Sequence, residues 1–193
     1  MKDIMDILNP KTEIDMKIDK ELGDLKKNFS ILLMMPKEKY ESVYLLLTKK
    51  LLKEFGKGIY VTVNKESAEL ISEMKDEKIN TDKIIFVDAV TEMVSEDEVE
   101  DTNVSYLSSP NDLMEMDVTI EEKMGDVKDG FLIFDSLTTL AVYNDEKTVE
   151  KFVHSLSQKT KGSKICDVFL IMKHSREEFV ETISQFFDKI VEL

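Results

Sequence analysis

The chain has 193 residues, of which 42% are hydrophobic and 34% charged, so it suits one globular domain rather than a disordered segment. Its formal net charge of −14 argues against binding to nucleic acid or to an acidic membrane surface, because both need clustered lysine and arginine. The single cysteine, Cys166, excludes a disulfide within the chain and a Cys-rich zinc site, and no apolar run is long enough to span a membrane, so a cytoplasmic protein is expected.

Residues 1–28 are predicted to form a charged, helical N-terminal extension, ahead of a domain over 29–193. The apolar residues of the extension form two groups separated by Pro10: Ile4, Ile7 and Leu8, then Ile14, Ile18, Leu22 and Leu25. The second group steps by three and four, as on one face of a helix. Two interpretations stay open: a helix packed on the edge of the domain, or a helix that docks on another subunit.

From residue 29 onward, continuous apolar runs alternate with segments of helical period. The predicted strands are 29–35, 58–63, 84–88, 104–107, 131–135, 165–172 and 189–193. The predicted helices are 38–55, 66–77, 109–124, a helix to 161 and 176–187. The third has Ser109 as N-cap and Pro110 in its first turn, and the fourth is capped by Asn144 or Asp145. This order predicts an α/β fold, with a three-layer, mostly parallel sheet covered by helices on both faces. The acidic stretch 92–101 is predicted to be a solvated loop.

The most informative segment is Phe131-Leu-Ile-Phe-Asp-Ser, because a buried strand there delivers one carboxylate, Asp135, at its carboxyl end. Ligands of open α/β sheets bind at that edge. The predicted rim holds the residues that follow each strand: Met35, Pro36, Asn64, Glu66, Asp88, Asp135, Ser136, Lys173 and His174.

Four segments, taken in order, resemble the RecA/KaiC-like superfamily of P-loop ATPases, especially its degenerate archaeal KaiC-like members: 58–64, 82–91, 131–140 and 187–193. The resemblance implies a RecA-like fold and relatives that assemble through the edges of that fold. It also implies that Asp135 matches the aspartate that coordinates Mg²⁺ in active relatives, and that Glu66 is the nearest match to the acid that polarises the attacking water.

The segment after the first strand departs from this family. The chain contains no G-x-x-x-x-G-K-[ST], and Met35 is followed by Pro36-Lys-Glu-Lys-Tyr-Glu-Ser. A phosphate loop uses glycines and successive backbone N–H groups, whereas Pro36 lacks one such donor. Glu38 and Glu41 add negative charge where a triphosphate would lie, and Lys39 and Ser42 lack the adjacent Lys-Ser spacing.

The leading hypothesis is therefore a non-catalytic RecA/KaiC-like domain, a pseudo-ATPase that binds protein partners or itself and needs no cofactor. Its Asp135 would hydrogen-bond nearby backbone, Ser or Thr groups, and Glu66 would only favour the start of its helix. The alternative is a Mg-ATP-binding ATPase or sensor with a non-standard phosphate loop. In it Lys37 or Lys39 contacts phosphate, Asp135 and Ser136 bind the Mg-nucleotide, and Glu66 is the base. A small-molecule sensor that uses the rim is a third hypothesis.

Other reactive residue types have simpler interpretations. Ser136, Thr138 and Thr139 are expected in a turn and Cys166 in the core. His154, beside the apolar stripe of its helix, is expected to be a packed or surface residue rather than a ligand. His174, beside Lys173 and Arg176, has the better case for a site role. The methionines are expected mainly in the core, although Met34, Met35, Met114 and Met116 could instead line an adaptable contact surface.

Overall fold

The protein is built around one seven-stranded parallel sheet in the computed structural model, which describes residues 13–23, 28–94 and 103–193. The strands follow the order β4-β3-β2-β5-β6-β1-β7. They are β1 Ser30–Met35, β2 Gly58–Thr62, β3 Ile84–Asp88, β4 Val104–Tyr106, β5 Phe131–Asp135, β6 Cys166–Met172 and β7 Lys189–Glu192. All six neighbouring pairs are parallel, so every carboxyl end lies at the same edge. The predicted α/β class and all seven strands are confirmed.

Eight α-helices occur within these ranges. They are α1 Glu13–Leu22, α2 Tyr40–Phe55, α3 Ser67–Asp76, α4 Thr91–Val94, α5 Leu113–Asp126, α6 Leu137–Tyr143, α7 Glu146–Gly162 and α8 Glu177–Ser184. Short 3-10 turns precede α2, at Lys37–Lys39, and β3, at Thr81–Lys83.

The core has two layers because the strands bury side chains on both faces. On one face Ile31, Leu33 and Met35 of β1 pack with α1, α2 and α3. On the other face Leu32 packs with α5, α6, α7 and α8. Burial on both faces explains why the strands read as continuous apolar runs instead of alternating ones.

Helix α1 contributes to this core. Its Ile18 and Leu22 are 0% and 2% exposed, and Lys50 of α2 forms an ion pair of 2.7 Å with Asp19. Ile14, Ile18 and Leu22 thus lie on one face of a helix that packs on the domain. Leu25 and the group before Pro10 lie outside the described residues. No helix in the described ranges is long and apolar enough to cross a membrane.

Three local predictions were wrong. Residues 137–143 form α6 rather than a turn, because the helix buries the side chains of Leu137 and Leu140 in the core. Helix α5 begins after Asp112, whose Oδ1 accepts the Glu115 N–H at 2.9 Å, so Asp112 rather than Ser109 is the cap. In the acidic stretch 92–101, the loop prediction is wrong for residues 92–94, which belong to α4, whereas residues 95–101 lie outside the described residues.

The proposed methionine contact surface is also wrong as a unit. Met35 and Met116 are fully buried and Met34 is partly buried, whereas Met114 is 79% exposed. Cys166, as predicted, is a buried core residue with a free thiol.

Candidate functional site at the carboxyl edge of the sheet

The carboxyl ends of three central strands place Thr62, Asp88 and Asp135 side by side. Thr62 of β2 is in register with Asp88 of β3 on one side and with Asp135 of β5 on the other. All three side chains are 0% exposed. Buried carboxylates require partners, so the donors around each of them define what this edge can do.

Asp135 is surrounded by side-chain donors from α2, β2 and the loop after β2. Its Oδ2 accepts hydrogen bonds from the hydroxyls of Tyr40 and Tyr60, the latter at 2.6 Å. Its Oδ1 accepts one from Asn64 Nδ2 at 2.7 Å. Both carboxylate oxygens are therefore engaged by groups of the protein itself.

Asn64 connects this carboxylate to the start of α6. Its Nδ2 also lies 3.3 Å from Ser136 Oγ, and its Oδ1 accepts a hydrogen bond from the Thr139 hydroxyl. Ser136 and Thr139 hydroxyls are 3.4 Å apart, and the peptide bond between Asp135 and Ser136 is cis. The network thus joins α2, the loop after β2, β5 and α6 at one point of the rim.

The charge state of this network depends on burial. Burial raises the pKa of Asp135 to about 6, although the hydrogen bonds from Tyr40, Tyr60 and Asn64 favour the carboxylate and act in the opposite direction. Burial, together with the nearby Asp135 charge, also raises the pKa values of Tyr40 and Tyr60 well above the usual range. Both tyrosines therefore remain protonated donors at neutral pH.

A row of aromatic rings leads from Asp135 into the core. The ring centroids of Tyr40 and Tyr44 are 5.1 Å apart, those of Tyr44 and Tyr60 are 6.4 Å apart, and those of Tyr60 and Phe86 are 6.1 Å apart. This packing supports the two rings whose hydroxyls Asp135 uses, because each of them lies against a neighbouring ring.

Tyr44 ties the same helix to α3. Its hydroxyl donates to Glu73, which also forms an ion pair of 2.6 Å with Lys65. Burial opposes ionisation of Glu73, but the hydrogen bonds from Lys65 and Tyr44 outweigh it and lower its pKa. The amino-terminal turns of α2 are therefore bonded to β5 through Tyr40 and to α3 through Tyr44.

Asp88 has a separate, structural set of partners. Its carboxylate accepts the backbone N–H groups of Ser67 at 2.7 Å, Val90 at 2.7 Å and Thr91 at 3.0 Å, and the Thr91 hydroxyl at 2.6 Å. Asp88 thus joins the first turns of α3 and α4 to the end of β3.

The other predicted rim residues are not all brought together. Ser136 lies beside Asn64 and Asp135. Glu66 is the residue before α3, where its side chain makes no capping hydrogen bond. Lys37 and Lys39 are exposed on the 3-10 turn, which also carries the exposed Glu38.

Both histidines are exposed. His174 is exposed in the turn after β6, and neighbouring Arg176 forms an ion pair of 3.0 Å with Glu146. His154 is exposed on α7, with its ring 4.7 Å from that of Phe186, so of the two expected positions, packed or surface, the structure shows the surface one. Within the described ranges, no group of three or more His, Cys, Asp or Glu side chains is placed to hold a metal ion.

Sequence reasoning located Asp135 and Asn64 on the rim but missed Tyr40 and Tyr60 as their partners. One signal was available. Tyr40 and Tyr44 are four residues apart at the start of the helix that follows β1, and so share one face of that helix. That face is turned to the sheet.

Residues 40–193 match the family described as "Family of unknown function (DUF7504)". The chain belongs to this family. The match begins at Tyr40 and covers the whole Asp135 network.

The fold is similar to that of a solved KaiC-like protein, PH0186 from the hyperthermophilic archaeon Pyrococcus horikoshii OT3. The TM-score is 0.67 at 15% sequence identity, over 91% of this chain and 76% of that one. The predicted RecA/KaiC-like fold of this DUF7504 member is confirmed, and at this identity the likeness concerns the fold alone. No curated protein is similar in sequence.

Proposed function

We propose that this DUF7504 member is a non-catalytic KaiC/RecA-like domain, a pseudo-ATPase that acts through contacts with protein partners or with itself. The observation that carries the proposal is the set of partners around Asp135. The carboxylate that matches the Mg²⁺ ligand of active relatives is buried and accepts hydrogen bonds from Tyr40, Tyr60 and Asn64.

These residues do not fit a Mg-nucleotide. Magnesium requires near-ideal octahedral geometry and usually keeps several waters. An ion at Asp135 would compete with the donors that already engage its two oxygens: the hydroxyls of Tyr40 and Tyr60, and the Asn64 amide. The segment 35–42 supports the same view, because it lacks the glycines and the Lys-Ser pair of a Walker A loop and carries Pro36, Glu38 and Glu41.

Glu66 has no place in a hydrolytic step under this proposal. It precedes α3, where its negative charge only favours the start of the helix. Lys37 and Lys39 serve as solvated surface charges rather than phosphate ligands.

The partner is proposed to be protein rather than nucleic acid or membrane, since the net charge is −14. Three large apolar side chains on the α5–α8 side support this choice because they are more than half exposed: Met114 at 79%, Val118 at 61% and Val142 at 78%.

The test is thermal unfolding with and without about 1 mM MgATP or MgADP, combined with a phosphate-release assay. A site with a dissociation constant near 10 μM would add roughly 2.7 kcal/mol and raise the melting temperature by a few degrees. We expect no shift and no release above background. A shift or hydrolysis that disappears in Asp135→Asn would overturn the proposal in favour of a nucleotide-binding ATPase or sensor.

A further inference from the structure

A groove with an apolar floor and a polar, mostly charged rim opens on the outer side of α2, away from the sheet. It encloses about 440 Å³ and is lined by Leu45 and Leu46 of α2, Ile14 of α1 and Ile79 after α3. Asp15, Glu41, Glu77 and Lys49 surround this floor. A groove of this shape beside two helices can accept an amphipathic segment through its apolar face.

The position of Ile14 identifies a candidate occupant. Ile14 lines the groove and is the second residue of α1, so residues 1–12 are tethered to the chain beside the groove. Leu8 is six residues before Ile14, and six extended residues span at most about 20 Å. The segment can therefore cover the groove without unfolding any part of α1.

The composition of this segment fits the groove. Ile4, Ile7 and Leu8 are spaced as on one face of a helix. The two lysines and two aspartates of residues 1–12 cancel in charge, whereas a second whole copy would bring a net charge of −14 against this acidic rim. Tethering beside the groove also gives the segment a high effective concentration there.

We propose that residues 1–12 dock in this groove of their own chain, with Ile4, Ile7 and Leu8 against Leu45, Leu46 and Ile79. The docked segment covers the outer side of the first turns of α2, where Glu41 and Ser42 lie beside Tyr40. It therefore holds the part of α2 that supplies the tyrosine hydroxyl to Asp135. The proposal is independent of whether the protein binds nucleotide.

Disulfide trapping tests this placement, because the only native cysteine, Cys166, is buried and does not compete. The full chain carries Asn9→Cys with Ser42→Cys, the latter a near-isosteric change at the groove. The matched control is Asn9→Cys with Ser155→Cys, an exposed serine on α7 at the other face of the sheet. Oxidation is followed on non-reducing gels and by peptide mass spectrometry.

We expect a cross-link within one molecule for the Ser42 pair and none for the Ser155 pair. Adding Leu8→Asp should slow the Ser42 cross-link by about tenfold, the effect of losing one buried leucine side chain. Three results would each overturn the proposal: no cross-link above the control, a rate that Leu8→Asp leaves unchanged, or a cross-linked dimer. The unchanged rate would show a tether without docking, and the dimer would show docking on a second copy.

Discussion

Asp135 loses all its water on burial, and three side chains replace that water. A hydrogen bond to a charged group contributes about 1.5–3 kcal/mol, whereas a buried carboxylate without donors is far less stable than its hydrated form. Removing the donor of Tyr40, Tyr60 or Asn64 should therefore destabilise the folded protein most where no other donor can take its place. Tyr40 and Tyr60 share one oxygen, Oδ2, so the loss of one hydroxyl leaves that oxygen with the other.

We predict that Tyr40→Phe destabilises the protein by about 1–2 kcal/mol, because it removes one donor to Asp135 and keeps the ring packing. Urea unfolding measures the change. Tyr143→Phe is the matched control, since Tyr143 is 40% exposed on α6, and it should change the free energy of unfolding by less than about 0.5 kcal/mol. Equal effects of the two substitutions would show that the Tyr40 hydroxyl is not a structural partner of Asp135.

A second buried carboxylate, Asp167, lies near the amino ends of β1 and β6. Its oxygens accept hydrogen bonds from the hydroxyls of Ser30 and Thr160, and all three side chains are 0% exposed. Burial raises the pKa of Asp167 to about 7, although both hydroxyls act to lower it. In the unfolded chain the same group titrates near 3.9.

The protein should therefore lose stability as pH rises from about 4 to about 7. In that window the folded state keeps a proton on Asp167 that the unfolded state has released, so deprotonation favours unfolding. Asp135, with its pKa of about 6, acts in the same direction over the lower part of the window. Urea unfolding across this range should show wild type losing on the order of a few kcal/mol.

Asp167→Asn isolates the contribution of Asp167, because asparagine resembles the protonated acid in shape but does not titrate. The variant should lose clearly less stability than wild type between about pH 4 and about pH 7. A slope identical to that of wild type would mean that Asp167 titrates normally in the folded protein.

The ring of Phe131 on β5 lies over the backbone of Gly58 at the start of β2 and leaves no room for a side chain there. A Cβ on Gly58 would lie 2.4 Å from the ring of Phe131 on β5, and Phe131 is itself fully buried. We predict that Gly58→Ala destabilises the protein by about 1–3 kcal/mol through overpacking. The change is measured by thermal or urea unfolding.

Gly125 in α5 offers the contrasting case, since a Cβ there meets nothing within 4 Å. Gly125→Ala should be neutral or stabilising by up to about 1 kcal/mol, because alanine restricts the unfolded chain and favours helix. If both substitutions prove neutral, β2 and β5 are less tightly packed than these distances indicate.

Much of the secondary structure follows from the sequence because burial on both faces leaves a strong pattern. The four apolar residues before Asp135 favour a buried strand, and the charge of Asp135 favours a position at the end of that strand. Helix α6 was missed because Ser136-Leu-Thr-Thr has weak helix propensity, and tertiary burial of Leu137 and Leu140 overrides it. Tyr40 was missed as a partner of Asp135 because the two residues are 95 positions apart and only the packed fold joins them.

Helix α1 shares one hydrophobic core with the main domain. Ile18 is fully buried against α2, so Ile18→Ala should cost about 2–4 kcal/mol in one cooperative unfolding transition. Met16, 56% exposed on the same helix, is the control, and Met16→Ala should cost less than about 0.5 kcal/mol. Circular dichroism during urea unfolding reports both values. A small effect of Ile18→Ala would mean that α1 detaches from a domain that is stable without it.

The position of β1 in the sheet sets the order in which the protein can be assembled. Strand β1 is the first of the described strands, yet its neighbours are β6 and β7. Its Ser30 contacts Asp167 and Asp188 across 137 and 158 residues. On a ribosome that adds about 5–20 residues per second, Ile31-Leu-Leu-Met-Met waits roughly ten seconds or more for its partners. During that interval both edges of this apolar strand lack a partner strand. We therefore expect chaperones to bind the nascent chain before β6 and β7 have been synthesised.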